Sequence, residues 1–200
     1  NREALELALR VALAVGAKIP ERSKFDRKNY FYCDLPKGYQ ISQYDQPYCK
    51  GGGIQLSNGR FVRLARIHME EDAGKAIHDR GDTTLVDLNR AGVPLIESVT
   101  EADVTSSAEA VEYLTTLKET LQFVGASDCD MEKGELRCDV NISMRPEGEP
   151  WRTKVEIKNL NSFRFVEKAI QYEVARQIEL IEGGGKVLQE TRLYDSDKGE

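Results

Sequence analysis

The sequence predicts a fold of the α+β class. Apolar and polar residues alternate with a period of two in several segments, most clearly in LRCDVNISMR at residues 136–145, which is typical of strands. Apolar residues spaced three and four apart, after capping serines, indicate two amphipathic helices. Short turn-rich connections such as Ser57-Asn58-Gly59 favour hairpins, and therefore antiparallel pairing.

Composition limits the classes of function. The 200-residue chain has a formal net charge of −6, which argues against attraction of nucleic acid to the whole surface and leaves only a local contact with a polynucleotide. No apolar run approaches the roughly 18 residues of a membrane span. The four cysteines include no CxxC pair, which indicates a reduced compartment. Zinc held by Cys33 and Cys49 around a turn-rich loop is a minority interpretation.

The first predicted elements are a helix and a hairpin. The helix covers residues 2–15 and is closed by Gly16. Strands follow at residues 29–32 and 39–44, joined by a turn at residues 34–38. This region combines tyrosines with lysines, which could stack bases and neutralise phosphates. Composition favours the alternative, a sheet with half-buried tyrosines and solvated lysines.

A second hairpin is predicted from strands at residues 54–56 and 61–69. Continued alternation along its second strand places Glu71 on the side of Ile67 and Met69, so either the strand has ended or a carboxylate points inward. The Gly-Lys pair that follows does not complete a phosphate-binding loop, because Met69 stands where that motif needs its first glycine.

Glu97 occupies a position where an apolar residue is expected. In a strand over residues 93–99 it shares one face with Leu95 and Val99. A carboxylate on such a surface loses hydration worth on the order of several kcal/mol unless a cation, a metal or hydrogen-bond donors replace the water. We therefore expect a positive group at Glu97. A structural ion pair with an arginine, such as Arg90 in the preceding turn, is the alternative.

Two later helices are architectural. Ser106 and Glu109 form a capping box for the first, which ends at Gly125, and Asn161 or Ser162 caps the second. Their apolar stripes are predicted to face the core, at Val111, Leu114, Leu117, Leu121 and Val124 in the first and at Phe163, Val166, Ile170, Val174, Ile178 and Ile181 in the second.

The last predicted hairpin joins residues 136–145 to residues 153–158 through a short loop. Its polar faces then lie side by side and bring together Arg137, Asp139, Asn141, Lys154, Glu156 and Lys158. A solvated surface explains this mixture of charges without a site, and is favoured on composition. A final strand is predicted over residues 187–194.

Four carboxylates emerge as candidates. Glu71 and Glu97 occupy inward positions, whereas Asp139 and Glu156 lie on a polar sheet face. Oxygen ligands of this kind suit Mg²⁺, which usually keeps several waters and shares its coordination shell with substrate phosphates.

Five motifs support a family resemblance. In chain order they are KFDRKNYFYCDLPKGYQISQYDQP, HMEEDAGK, VDLNRAGVPLIE, LRCDVNIS and EIKNLNSF. Together they resemble the B subunit of glutamyl/aspartyl-tRNA amidotransferase, called GatB, and its relative GatE. The likeness extends to the QETRLYD segment and covers essentially the whole chain.

The resemblance implies a ligase that uses ATP and Mg²⁺ to phosphorylate the side-chain carboxylate of glutamate or aspartate misacylated onto tRNA(Gln) or tRNA(Asn). Ammonia channelled from a glutaminase A subunit then displaces the phosphate, and a small C subunit clamps the A and B subunits. It also implies a cradle-like, mainly antiparallel sheet flanked by helices, and a location in the bacterial cytoplasm or an organelle matrix. The sequence does not specify which of the two aminoacyl-tRNAs is preferred.

The resemblance also assigns roles to individual residues. By motif match, Glu71 and Glu97 correspond to Mg²⁺ ligands, Asp139 and Glu156 to an adjoining acidic cluster, and Lys28 and Lys37 to lysines near the channel and the phosphate region.

Residues 1–200 are expected to be a fragment of the catalytic domain, inactive alone, without the family's N-terminal segment and its C-terminal helical and tail domains. Cys33 stands where other members carry proline, so the family pattern does not support zinc there. The alternative function is a non-catalytic scaffold that binds tRNA or a partner subunit.

Overall fold

The computed structural model describes residues 1–78 and 81–199. The chain divides into two compact units, Asn1–Asp103 and Val104–Glu200. Both contain helix and sheet, which confirms the α+β class. In the described residues the strands form four separate small sheets, and all of their pairings but one are antiparallel. No helix in the described part of the chain is both long and apolar enough to cross a membrane.

The first unit is built around one long strand. Its elements are α1 (Arg2–Ala14), β1 (Asp26–Asn29), β2 (Tyr39–Ser42), β3 (Cys49–Lys50), β4 (Gly53–Gln55), β5 (Phe61–Glu71), β6 (Lys75–Ile77), β7 (Leu85–Asp87) and β8 (Pro94–Thr100). Strand β5 pairs antiparallel with β3, β4 and β8. Val62, Leu64 and Ile67 from β5 are buried in the core of this unit.

The register of β5 against β8 determines which side chains share a face. His68 lies opposite Glu97, Glu70 opposite Leu95, and Glu71 opposite Pro94. Directly opposed residues in an antiparallel pair point to the same face, and successive residues alternate. His68, Glu70 and Glu97 therefore occupy one face of the β5–β8 pair, and Glu71 occupies the other.

The first hairpin differs from its prediction in its boundaries. Strand β1 covers Asp26–Asn29 rather than residues 29–32, and it pairs with β2 from Asp26 opposite Ser42 to Asn29 opposite Tyr39. The Tyr30 N–H still donates to the Gly38 carbonyl, one step beyond the Asn29–Tyr39 pair. The Leu35 N–H then donates to the Tyr32 carbonyl and the Gly38 N–H to the Leu35 carbonyl, with Gly38 at positive φ, so turns replace the strand predicted at residues 31–32. The expectation of half-buried tyrosines also fails at Tyr44, which is 83% exposed.

The second unit contains two long helices and a small sheet. Its elements are α2 (Ser107–Phe123), β9 (Val140–Ile142), β10 (Val155–Lys158), α3 (Phe163–Glu182) and β11 (Thr191–Leu193). The predicted caps are confirmed: the Ser106 hydroxyl accepts from the Glu109 backbone N–H, and the Ser162 hydroxyl accepts from the Phe165 N–H.

The last hairpin is confirmed in its pairing but not in its length. Strands β9 and β10 are antiparallel, with Glu156 opposite Asn141, but β9 covers only Val140–Ile142 of the ten residues predicted. Strand β11 is also shorter than residues 187–194 and runs parallel to β10.

The buried face of α3 is partly polar. The predicted stripe holds at Val166 and Ile170, but Ile178 is exposed, whereas Glu173 is 1% and Gln177 0% exposed. The Gln177 amide donates to the Ile142 carbonyl on β9 and to the Glu173 carboxylate, while Arg176 donates two hydrogen bonds to that carboxylate. These bonds satisfy a buried charge at a position that the predicted apolar stripe did not include.

Candidate functional site

The candidate residues are divided between the two units. Lys28, Lys37, Glu71 and Glu97 belong to the first unit, and Asp139 and Glu156 to the second. Whether the four carboxylates act on one substrate therefore stays a prediction.

In the first unit, His68, Glu70 and Glu97 converge. The His68 Nε2 atom lies 3.1 Å from Glu70 Oε1 and 3.5 Å from Glu97 Oε2. His68 and Glu70 come from alternate positions of β5, and Glu97 lies directly opposite His68 on β8, so sheet geometry alone brings the three together. The expected positive group at Glu97 is therefore His68. Glu97 itself is 52% exposed, so it is less buried than the sequence predicts.

The three groups perturb one another electrostatically. Burial disfavours protonation of His68, but hydrogen bonds to Glu70 and Glu97 outweigh it and raise the pKa of the imidazole to about 9. The hydrogen bond with His68 lowers the pKa of Glu97. Burial would raise the pKa of Glu70, but hydrogen bonds from His68 and Ser42 lower it overall. The Lys28 charge also lowers the pKa of both carboxyls.

Glu71 has a different environment. Its Oε1 atom forms an ion pair with Lys37 Nζ and accepts a 2.8 Å hydrogen bond from the Ile41 backbone N–H. Burial would raise the pKa of Glu71, but these two donors lower it overall. The Lys37 ammonium lies 4.7 Å from the centroid of the Tyr39 ring, a cation–π contact. Strand β5 continues through Glu71, whose side chain is 16% exposed, which resolves the alternative left open by the alternation pattern.

In the second unit, Asp139 and Glu156 share one lysine. Lys158 Nζ lies 2.6 Å from Asp139 Oδ2 and 3.6 Å from Glu156 Oε1. Glu156 also accepts a hydrogen bond from the Thr191 hydroxyl on β11. Asp139 precedes β9 directly, so the polar face predicted for this hairpin includes both carboxylates and their shared cation.

The cluster of His68, Glu70 and Glu97 fits a divalent cation. One ligand atom from each lies within 4.8 Å of the others. Two carboxylate oxygens suit Mg²⁺, which would complete its shell with water and phosphate oxygens. The His68 Nδ1 atom is buried without a hydrogen-bond partner among the described residues. A protonated His68 would therefore carry a positive charge with one buried N–H that has no acceptor among the described residues. A metal ion could neutralise the two carboxylates in its place.

Sequence reasoning did not select His68 or Glu70. The period-two alternation of residues 67–71 could have identified them. It places Glu71 beside Ile67 and Met69, and it places His68 and Glu70 together on the opposite face. Only the pairing register shows that Glu97 joins that face. Whether Glu71 binds a metal stays a prediction.

Similarity to known proteins extends over the whole chain. The family described as GatB/GatE catalytic domain matches residues 1–200. The B subunit of aspartyl/glutamyl-tRNA(Asn/Gln) amidotransferase from Persephonella marina is 54% identical over 204 residues, covering 100% of this chain and 43% of the relative. Proteins of the same name from Anaeromyxobacter sp. and Hahella chejuensis are 55% and 57% identical, covering 100% and 99% of this chain and 42% of each relative. The chain thus spans less than half the length of these relatives.

Proposed function

The chain belongs to the GatB/GatE catalytic-domain family, which matches its full length, and on this premise we propose that it carries the carboxylate-activating site of a tRNA-dependent amidotransferase. The substrate is glutamate or aspartate misacylated on tRNA(Gln) or tRNA(Asn). Its side-chain carboxylate is phosphorylated with ATP and Mg²⁺, and ammonia from a glutaminase subunit then displaces the phosphate. The partners are that subunit, a small third subunit and the misacylated tRNA, in the cytoplasm of a bacterium or an organelle matrix.

The observation that carries this proposal is the convergence of His68, Glu70 and Glu97 on one face of the β5–β8 pair. A site for phosphoryl transfer needs fixed carboxylates that retain their charge at neutral pH. The lowered pKa values of Glu70 and Glu97 satisfy that requirement. Two ionised carboxylates around one imidazolium leave a surplus negative charge, which suits a divalent cation and for which a purely structural scaffold has no need.

Separate residues of the first unit are assigned to binding the metal ion and to orienting the phosphate. Glu97 and Glu70 would hold Mg²⁺, with His68 beside them. When bound, the ion would neutralise phosphate oxygens during transfer of the phosphoryl group. Lys28 places a second positive charge near the same carboxylates and is suited to orient a phosphate.

The remaining candidate residues form two further pairs of charged groups. Lys37 holds Glu71 on the opposite face of β5, and Asp139 and Glu156 orient Lys158 in the second unit. We assign these residues to the same activation reaction on the strength of their motifs. Glu71 remains a second candidate ligand for Mg²⁺.

Replacing Glu97 with glutamine tests the proposed function. In a full-length subunit assembled with its partners, Glu97→Gln should abolish ATP-dependent phosphorylation of the aminoacyl-tRNA and leave glutamine hydrolysis by the partner largely intact. Glutamine preserves the packing around Leu95 and Val99 but removes the charge that would hold Mg²⁺. Both reactions are measured on one preparation, with thermal melting as a control. Phosphoryl transfer at nearly the wild-type rate would refute the role of Glu97, and parallel loss of both activities would indicate misassembly.

A further inference from the structure

The side chains of β2 contact the end of β5 through hydrogen bonds. The Ser42 hydroxyl donates to Glu70 Oε1 over 2.5 Å, and the Gln40 amide donates to Glu70 Oε2 over 3.2 Å. The same Gln40 amide donates to the Glu71 carbonyl over 2.7 Å. Ser42 and Gln40 are both buried, with 8% of each residue exposed. Two neutral donors therefore hold one carboxylate away from bulk water.

The arrangement of these donors fixes the rotation of the Glu70 carboxylate. Residues 40 and 42 alternate on β2, so their side chains point to the same face. Each donates to a different oxygen of Glu70, and His68 Nε2 lies 3.1 Å from the oxygen that Ser42 contacts. With one donor on each oxygen, the plane of the carboxylate cannot rotate without breaking a hydrogen bond. The Glu70 oxygens are thereby held in fixed positions beside Glu97.

We propose that Ser42 and Gln40 are positioning residues that orient the Glu70 carboxylate for a divalent cation, with Ser42 as the main determinant of its affinity. The inference rests on the proposed function, because it assumes that the cluster binds Mg²⁺. Hydrogen-bond partners behind a metal ligand commonly change metal affinity by about 10–100-fold when they are removed. Ser42 donates to Glu70 Oε1, the same oxygen that lies 3.1 Å from His68 Nε2, whereas Gln40 donates to the other oxygen.

A positioning role can be distinguished from a structural one. Any buried serine that satisfies a carboxylate could stabilise the fold, and its loss would then lower stability without changing affinity for a cation. A positioning residue changes the affinity for Mg²⁺ in protein that is still folded. The chain offers a matched control at Ser98, which neighbours Glu97 on β8 and whose buried hydroxyl has no hydrogen-bond partner among the described residues.

The test compares Ser42→Ala, Ser42→Thr and Ser98→Ala in the full-length subunit assembled with its partners. Binding of Mg²⁺ alone is measured by calorimetry without ATP or tRNA, and the Mg²⁺ concentration for half-maximal phosphoryl transfer is measured separately. Ser42→Ala should weaken Mg²⁺ binding by about tenfold, and saturating Mg²⁺ should restore kcat. Ser42→Thr, which keeps the hydroxyl, and Ser98→Ala should stay within about twofold of the wild type.

The outcomes separate this inference from the function on which it rests. Equal Mg²⁺ affinity in Ser42→Ala and Ser98→Ala would overturn the positioning role. If Glu97→Gln instead binds Mg²⁺ with the same affinity as the wild type, the metal site itself is overturned. If Ser42→Ala fails to assemble, Gln40→Met removes the other donor to Glu70 while preserving side-chain length. Unchanged affinity in Gln40→Met would then contradict the proposal.

Discussion

At the scale of single residues, the adjacent glutamates Glu70 and Glu71 differ in their contacts and in the face of β5 that they occupy. Glu70 contacts His68, Ser42 and Gln40, whereas Glu71 contacts Lys37 and the Ile41 backbone N–H. They point to opposite faces of β5, and only Glu70 shares a face with Glu97. A shared motif therefore contains two carboxylates with separate surroundings.

Substituting each of these glutamates should show which one binds Mg²⁺. Glu70→Gln should raise the Mg²⁺ concentration for half-maximal phosphoryl transfer at least about tenfold, because it removes a charge from the cluster around His68. Glu71→Gln should change that concentration less than about twofold. Titration of Mg²⁺ in the assembled full-length subunit, with melting temperature as a control, measures both. A larger effect of Glu71→Gln would place the ion on the Lys37 side of β5 instead.

At the scale of secondary-structure elements, α3 is attached to its sheet by charge as well as by apolar packing. Glu173 accepts hydrogen bonds from Arg176 and Gln177, and Arg192 on β11 lies 3.6 Å from its carboxylate. Burial would raise the pKa of Glu173, but the hydrogen bonds from Arg176 and Gln177 outweigh it and lower the pKa. The ionised form is therefore the one that stabilises this unit.

Glu173→Gln should lower the free energy of unfolding by about 2 kcal/mol at pH 7, the scale of losing hydrogen bonds to a buried charged group. Because folding lowers this pKa, the stabilisation is complete above the unfolded value of about 4.5 and is lost as pH falls through the lower folded value. The difference between variant and wild type should thus shrink below about pH 4.5.

Urea unfolding of the chain at pH 7 and at progressively lower pH measures this effect. Glu179→Gln, at an exposed position of the same helix, is the control and should change stability by less than about 0.5 kcal/mol. A difference for Glu173→Gln that does not depend on pH would show that the ionised carboxylate is not its cause.

At the scale of the whole molecule, the candidate metal cluster lies entirely within the unit Asn1–Asp103. The chain carries a net charge of −6, and this cluster places two of its acidic groups next to each other. A cation that binds only the folded state stabilises that state by mass action. Magnesium should therefore increase stability through this unit.

Mg²⁺ at about ten times its dissociation constant should stabilise the chain by about 1.4 kcal/mol, which corresponds to a rise in Tm of about 3–6 °C. Glu97→Gln should abolish most of this rise, and Glu182→Gln, at the end of α3, should preserve it. Differential scanning calorimetry with and without Mg²⁺ checks the prediction. An equal rise in all three proteins would indicate nonspecific binding of the ion to acidic surface.

The sequence by itself determined the features that depend on near neighbours. The caps at Ser106 and Ser162 and the hairpin of β9 with β10 are examples, because each is encoded by residues close together in the chain. The family is determined by the sequence as well, through contiguous motifs spread along the whole chain. The turn at Asp87, whose carboxylate accepts from the Asn89 backbone N–H, is encoded in the same way.

Only the tertiary structure decided which distant side chains meet. The register of β5 with β8 joins Glu97 to His68 and Glu70, and the packing of α3 against β9 buries Gln177, a polar residue outside the apolar stripe predicted from the sequence. Neither outcome follows from periodicity, because period alone does not specify the partner strand or its register. A one-residue change of register would place Glu97 on the face of Glu71, so the identity of the site depends on long-range pairing.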